Sequence, residues 1–114
     1  MEEYIMTIDE GTTSARAVLF NKDSEIVAIC AKEFAQYYPQ PGWVEQDPKE
    51  IWLTTKEVIN RVVLQAGIDP RQIKAAGITN QRETVVVYDK NTGEPVYNAI
   101  GWADRRTAPY CDEL

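Results

Sequence analysis

The clearest helical pattern in this chain begins at Asp47, and it stands between segments that alternate with a period of two. That order restricts the fold to a sheet covered by a helix. Asp47 can cap the helix, Pro48 suits its first position and Glu50 follows the cap by three residues, so a capping box is expected. Ile51, Val58, Ile59, Val62 and Ala66 share one face, with Trp52 at its edge, and Gly67 supplies the stop. Upstream, residues 4–9, 15–20 and 25–35 read as strands, with Asn21-Lys22-Asp23-Ser24 as the second turn. Two successive antiparallel hairpins are the economical arrangement. Pro39, Pro41 and Gly42 mark a loop before the helix.

Beyond the helix, Asp69-Pro70 predicts a short turn or a single helical turn, and Ile73 to Thr79 a buried strand made closely packable by Ala75, Ala76 and Gly77. Thr84-Val85-Val86-Val87-Tyr88 predicts a strong strand, Lys90 to Gly93 a tight turn into Pro95-Val96-Tyr97, and residues from about Asp104 a further helix capped by Asp104. Antiparallel strands, a helix and then a strand form the opening of a ribonuclease-H-like α/β fold, with a sheet expected to be incomplete at Leu114.

Composition excludes several functions. The 114 residues allow one domain at most, and 44% hydrophobic with 26% charged residues is ordinary for a globular protein. A net charge of −6 is wrong for a nucleic-acid surface. No apolar run approaches a membrane span, and Met1-Glu2-Glu3 does not open a signal peptide, so a cytoplasmic protein is expected. Cys30 and Cys111 fit no metal spacing and read as reduced thiols. The absence of histidine excludes His-based triads and His-ligated zinc within the chain.

Three clusters can carry chemistry. In Asp9-Glu10-Gly11-Thr12-Thr13-Ser14-Ala15-Arg16 an acid ends a strand and is followed by a glycine, three hydroxyls and a cation. Backbone N–H groups and hydroxyls can cradle phosphate, Arg16 can neutralise it and Asp9 can hold a hydrated Mg²⁺; the same stretch also makes a good hairpin turn. It matches neither a Walker A loop nor a dinucleotide fingerprint. In Gly77-Ile78-Thr79-Asn80-Gln81-Arg82-Glu83-Thr84, Arg82 and Glu83 offer a forked donor and an acceptor suited to polyol hydroxyls, or else form a solvated turn. In Gly101-Trp102-Ala103-Asp104-Arg105-Arg106, Trp102 can wall the carbon skeleton of a small ligand, although a core tryptophan is the commoner outcome. Trp43 and Trp52 are assigned to packing.

Taken together, Asp-x-Gly-Thr-Thr-Ser at 9–14, Pro-Gly-Trp-Val-Glu-Gln-Asp-Pro at 41–48, Gly-Ile-Thr-Asn-Gln-Arg-Glu-Thr at 77–84 and Tyr-Asn-Ala-Ile-x-Trp at 97–102 resemble the glycerol kinases, members of the sugar and polyol kinase superfamily with the actin-like ATPase fold. The resemblance spans the whole chain. It implies ATP-dependent phosphorylation of glycerol to glycerol 3-phosphate, with Thr12, Thr13, Ser14 and Arg16 on nucleotide phosphates, Asp9 near Mg²⁺, and Arg82, Glu83 and Trp102 around glycerol. It also implies that residues 1–114 are the amino-terminal part of the first of two domains. The family's catalytic base, a later Asp, then lies beyond Leu114, and the chain alone is expected to be inactive.

The chain departs from the family pattern at two positions. Glu10 stands where Gln is usual, and a carboxylate there repels phosphate unless it points away or is neutralised. Ala103 replaces a commonly polar residue. Two further readings accompany the kinase one: a non-catalytic interaction module whose open sheet edge is filled by a homo-oligomer or by complementation with the rest of a kinase, and a kinase of another small polyol.

Overall fold

The structure, a computed structural model, describes residues 1–114. Its elements in chain order are β1 (Tyr4–Glu10), β2 (Ser14–Phe20), β3 (Ile26–Glu33), β4 (Glu45–Gln46), α1 (Pro48–Ala66), a 3₁₀ turn (Pro70–Gln72), β5 (Ile73–Thr79), β6 (Ala99–Ile100) and α2 (Ala108–Glu113). They divide into two compact units, Met1–Phe34 with Trp52–Gln81 and Ala35–Ile51 with Arg82–Leu114. No helix is long and apolar enough to cross a membrane.

The first unit holds a mixed sheet in the order β3-β2-β1-β5. The two expected hairpins form: β1 pairs antiparallel with β2, and β2 with β3. Asn21 makes the second turn, its side-chain oxygen accepting the N–H groups of Asp23 at 2.9 Å and Glu25 at 3.0 Å. β5 joins β1 in parallel, which requires a crossover of the kind a helix supplies. Expected to be buried, it is instead the sheet's edge strand and is exposed from Lys74 to Thr79. Alternation along the strands puts Met6, Ala15, Ala17 and Leu19 into one core with Val58 and Val62 of α1. Leu19, Val58 and Val62 are fully buried, each contributing on the order of 1.5–3 kcal/mol. Trp52 does not pack there; it is 59% exposed, with the Lys56 ammonium 5.8 Å from its ring centre. The core stripe passes instead through buried Thr54 and Thr55, leaving Trp52 on the outer side of the helix.

The ends of α1 follow the sequence in part. Asp47 accepts the Lys49 N–H at 2.9 Å, but Glu50 does not return to the cap. Its carboxylate takes the Ala35 N–H and the Tyr37 hydroxyl, both at 2.8 Å, so the first helical turn anchors the preceding loop. Gly67 ends the helix at φ 67°, a conformation that costs glycine little. A reciprocal capping box does occur at Asp69 and Gln72, at the start of the single helical turn that was one of the two expectations there.

The second unit is built on short pairings. β4 and β6 are antiparallel, and isolated bridges join Tyr37 to Glu45, Val85 to Ile100 and Tyr88 to Pro95. The expected strand at Thr84–Tyr88 is therefore only bridged at two points, and Val85, Val86 and Val87 are all exposed. β-propensity measures fit to a half-buried pleated surface, and this segment has none to lie on. The turn after it is organised by Asp89, whose carboxylate accepts the N–H groups of Asn91 and Thr92. The last helix starts at Ala108 rather than near Asp104, with Thr107 at its cap position. Asp104 is not a cap because its carboxylate is committed to Val44 and Arg106.

Candidate active site

Within the first unit, the carboxyl ends of the parallel strands β1 and β5 and the β1–β2 turn converge, the kind of place where α/β sheets collect ligands. Register places Arg16 opposite Asp9 on one side and Thr79 opposite Asp9 on the other. The three thus form a row across β2, β1 and β5 on the face away from the Met6 and Leu19 core. Thr12 and Thr13 lie in the turn itself, and Ser14 opens β2. Gly11 closes the turn by donating its N–H to the Ser14 carbonyl at 2.9 Å. A Cβ on Gly11 would lie 3.0 Å from that same oxygen, a tight contact that glycine avoids.

The hairpin is held from outside the motif. Gln81 Nε2 donates to the Gly11 carbonyl at 3.2 Å. Thr55 Oγ1, buried in α1, donates to Glu10 Oε1 at 2.6 Å. Glu10 therefore extends onto the helix side of the sheet, opposite to Asp9 and Arg16, which removes the expected conflict between its carboxylate and phosphate. Its second oxygen, Oε2, is buried without a hydrogen-bond partner. Sequence reasoning assigned no role to Gln81 or Thr55. Gln81 stood inside a conspicuous polar run, whereas Thr55 carried no signal beyond its helical position.

Within the second unit, the Arg82-Glu83 turn and the Gly101-Trp102 segment are brought side by side. Val85 and Ile100 exchange two backbone hydrogen bonds at 3.0 Å, and the Trp102 N–H donates to Thr84 Oγ1 at 3.2 Å. Arg82 and Glu83 are exposed, and Trp102 is 55% exposed, so it is not a core tryptophan. Glu83 sits at φ 66°, a left-handed conformation costing a non-glycine residue about 1–2 kcal/mol. Strain of this kind collects at functional positions.

Behind Trp102 lies a charged cluster. Arg106 forms ion pairs with Glu45 at 2.7 Å and Asp104 at 2.9 Å, while the Glu45 and Asp104 side chains are only 1% and 3% exposed. Glu45 also accepts the Tyr97 hydroxyl at 2.8 Å and the Asn98 amide at 3.1 Å. Burial works to raise the Glu45 and Asp104 carboxyls, but the Arg106 hydrogen bonds and their neighbours prevail and hold both below their ordinary values. The Arg106 guanidinium is raised in turn, chiefly by its hydrogen bonds to Asp104. It also stacks 3.8 Å from the Trp43 ring centre, which gives Trp43 its packing role.

The residues suit a nucleotide polyphosphate with Mg²⁺. The glycine-tightened turn gives backbone and hydroxyl donors, Arg16 a fixed cation, and Asp9 an exposed carboxylate. No group of three or more His, Cys, Asp or Glu is placed to hold a metal ion. A single carboxylate is the donor set expected when Mg²⁺ is shared with substrate phosphates and water.

Known proteins resemble the chain over nearly its whole length. The chain is 59% identical over 113 residues to a glycerol kinase of Chromobacterium violaceum and 57% identical over 112 residues to glycerol kinase 2 of Thermotoga maritima. These matches cover 99% and 98% of the chain but 23% of each relative, so the chain spans about a quarter of their length. Among solved structures, a Plasmodium falciparum glycerol kinase with ADP superposes with a TM-score of 0.87 at 32% identity, over 98% of this chain and 22% of that one. A gluconate kinase from Lactobacillus acidophilus gives 0.89 at 27% identity, over 99% of this chain and 22% of that one. The fold is accordingly part of the actin-like α/β domain of these kinases. The model of the amino-terminal domain of the FGGY carbohydrate kinases matches residues 4–114, and the chain belongs to that family.

Proposed function

We propose that this chain is the amino-terminal part of the first domain of a glycerol kinase, which transfers the γ-phosphoryl group of ATP to a terminal hydroxyl of glycerol. The single observation that carries the reading is the Arg82-Glu83 turn tied to Trp102 through Thr84, in a chain 59% identical to a glycerol kinase. Thr12, Thr13, Ser14 and Arg16 bind the nucleotide phosphates through hydroxyls, backbone N–H groups and a guanidinium. Asp9 holds Mg²⁺ through water; the ion, when bound, neutralises charge on the phosphates. Arg82 donates to one glycerol hydroxyl, Glu83 accepts from another, and Trp102 covers the carbon chain. These groups position the reactants, which is most of what phosphoryl transfer requires of a protein.

No catalytic base is assigned within the chain; the Asp that takes the hydroxyl proton belongs to the remainder of the kinase. The site of action is the cytoplasm, where Cys30 and Cys111, unpaired here, remain thiols. The test exchanges the matching residues of the Chromobacterium violaceum kinase for this chain and assays glycerol-dependent ATP consumption. Turnover within about tenfold of the parent enzyme is expected. A folded exchange protein that ignores glycerol but phosphorylates another polyol overturns the glycerol reading in favour of that substrate.

A second reading concerns the chain by itself as an interaction module. β5 is paired on one side only, and Ile78 on it is 72% exposed. Such edges attract further strands, from a second copy or from a complementing chain. Light scattering decides: a monodisperse monomer across the micromolar range removes this reading.

A further inference from the structure

The Arg106 cluster is the most heavily buried group of charges in the second unit, and the phosphoryl-transfer reading does not use it. Its position relative to Trp102 gives it a role. The Asp104 carboxylate accepts the Val44 N–H at 2.7 Å, the Arg106 N–H at 2.8 Å and the Arg106 guanidinium, while the Asp104 N–H donates to the Gly101 carbonyl at 3.0 Å. Trp102 therefore sits in a turn whose far side is fixed by Asp104. Gly101 is fixed as well, donating its N–H to the Val44 carbonyl at 2.9 Å, and a Cβ added to it would meet Val44 at 3.4 Å. On the near side the Trp102 N–H is bonded to Thr84 Oγ1, one residue from the strained Glu83.

We infer that Thr84 and the Asp104-Arg106-Glu45 cluster are positioning residues that clamp Trp102 beside the Arg82-Glu83 turn and so set which polyols the kinase accepts. The inference rests on the glycerol kinase reading for its substrate. The chemistry is that of a specificity wall. A backbone held on both sides of Trp102 fixes where its indole starts, so the ring can exclude a longer or branched carbon chain that a loose segment would accommodate. Burying two carboxylates around one guanidinium is a poor route to stability, because apolar residues of similar size commonly serve as well. The cluster ties the 101–106 segment that bears Trp102 to Val44 and, through Glu45, to Tyr97 and Asn98, and is accounted for by what it orients. The bidentate Asp104–Arg106 contact and the Arg106–Trp43 stack both need a planar guanidinium, which lysine cannot replace.

The test uses the full kinase carrying this chain, with Thr84→Val, Thr84→Ser, Asp104→Asn and Arg106→Lys. The Val, Asn and Lys variants are expected to raise the KM for glycerol about tenfold while the KM for ATP stays within about twofold, and to raise the relative kcat/KM for the four-carbon polyol erythritol. Thr84→Ser, which keeps the hydroxyl, should restore most of the loss. Lys49→Met, which breaks the exposed Lys49–Glu94 ion pair of the same unit, serves as the control with unchanged kinetics. Equal changes in both KM values, or lowered thermal midpoints with unaltered kinetics and polyol preference, overturn the inference. A second measurement does not depend on activity: ¹⁹F NMR of the 114-residue chain labelled with 5-fluorotryptophan, the Trp102 signal being identified by its loss in Trp102→Phe. Thr84→Val and Arg106→Lys should shift or broaden that signal, and an unmoved signal overturns the clamp even if the kinase proves to act on a different polyol.

Discussion

At the scale of single residues, Glu83 is the most telling. Its φ of 66° is a cost the fold carries at one exposed acid in a turn, where glycine would be relaxed. Glu83→Gly is therefore predicted to stabilise the chain by about 1 kcal/mol, seen as a raised urea midpoint, while weakening glycerol use in the exchanged kinase by more than about a hundredfold. A destabilised variant, or one with intact glycerol kinetics, contradicts the assignment. The candidate site was legible at this scale wherever its chemistry lay in short runs: Asp9 to Arg16 and Arg82-Glu83 stood out by spacing. The supporting contacts were not, because Thr55→Glu10 and Gln81→Gly11 join residues 45 and 70 positions apart. Asp104 reads in the sequence as a helix cap, and neither Glu45 nor Arg106 has an assigned partner there, because the three are joined only when the backbone brings them together.

At the scale of elements, the first unit follows its sequence closely in the position of its strands and turns, although β5, expected to be buried, is exposed at the sheet edge. β1, β2, β3, α1 and β5 all appear within a few residues of expectation. The misplaced elements lie in the second unit, where pairing is sparse. Thr84–Tyr88 has strand composition but forms only isolated bridges at Val85 and Tyr88 and a single backbone bond at Val87, so local propensity had little to act through. The last helix starts late because the side chain expected to cap it serves the ion cluster. The core of the first unit gives a direct check. Leu19 is fully buried between β1 and β3 and packed in the same cluster as Val58 and Val62. Leu19→Ala is predicted to cost about 2–5 kcal/mol in urea unfolding, and a cost below about 1 kcal/mol would show that the core collapses or is looser than described.

At the scale of the whole molecule, acid sensitivity follows from the buried carboxylates. Glu45 and Asp104 have folded-state values below their unfolded ones, so the stability they contribute is complete above the unfolded values and is lost as pH falls through the folded ones. Glu50, Glu57 and Asp69 are lowered as well and act in the same direction. The urea midpoint is expected to be level from neutral pH to about pH 5 and to fall below about pH 4. Arg106→Met leaves burial opposed only by Tyr97 and Asn98 at Glu45 and only by backbone N–H groups, Val44's among them, at Asp104, so the fall should begin at higher pH; a fall at unchanged pH contradicts the cluster's electrostatics.

The central claim is that the 114 residues carry contacts to both substrates, phosphate on the β1–β2 hairpin and polyol on the Arg82-Glu83 turn. The most direct test is a pair of single substitutions in the exchanged kinase, read as separate KM values. Thr13→Ala is predicted to raise the KM for ATP by about tenfold with little change for glycerol, and Arg82→Ala to do the reverse. Both substitutions acting on the same substrate, or neither acting on either, would contradict the account.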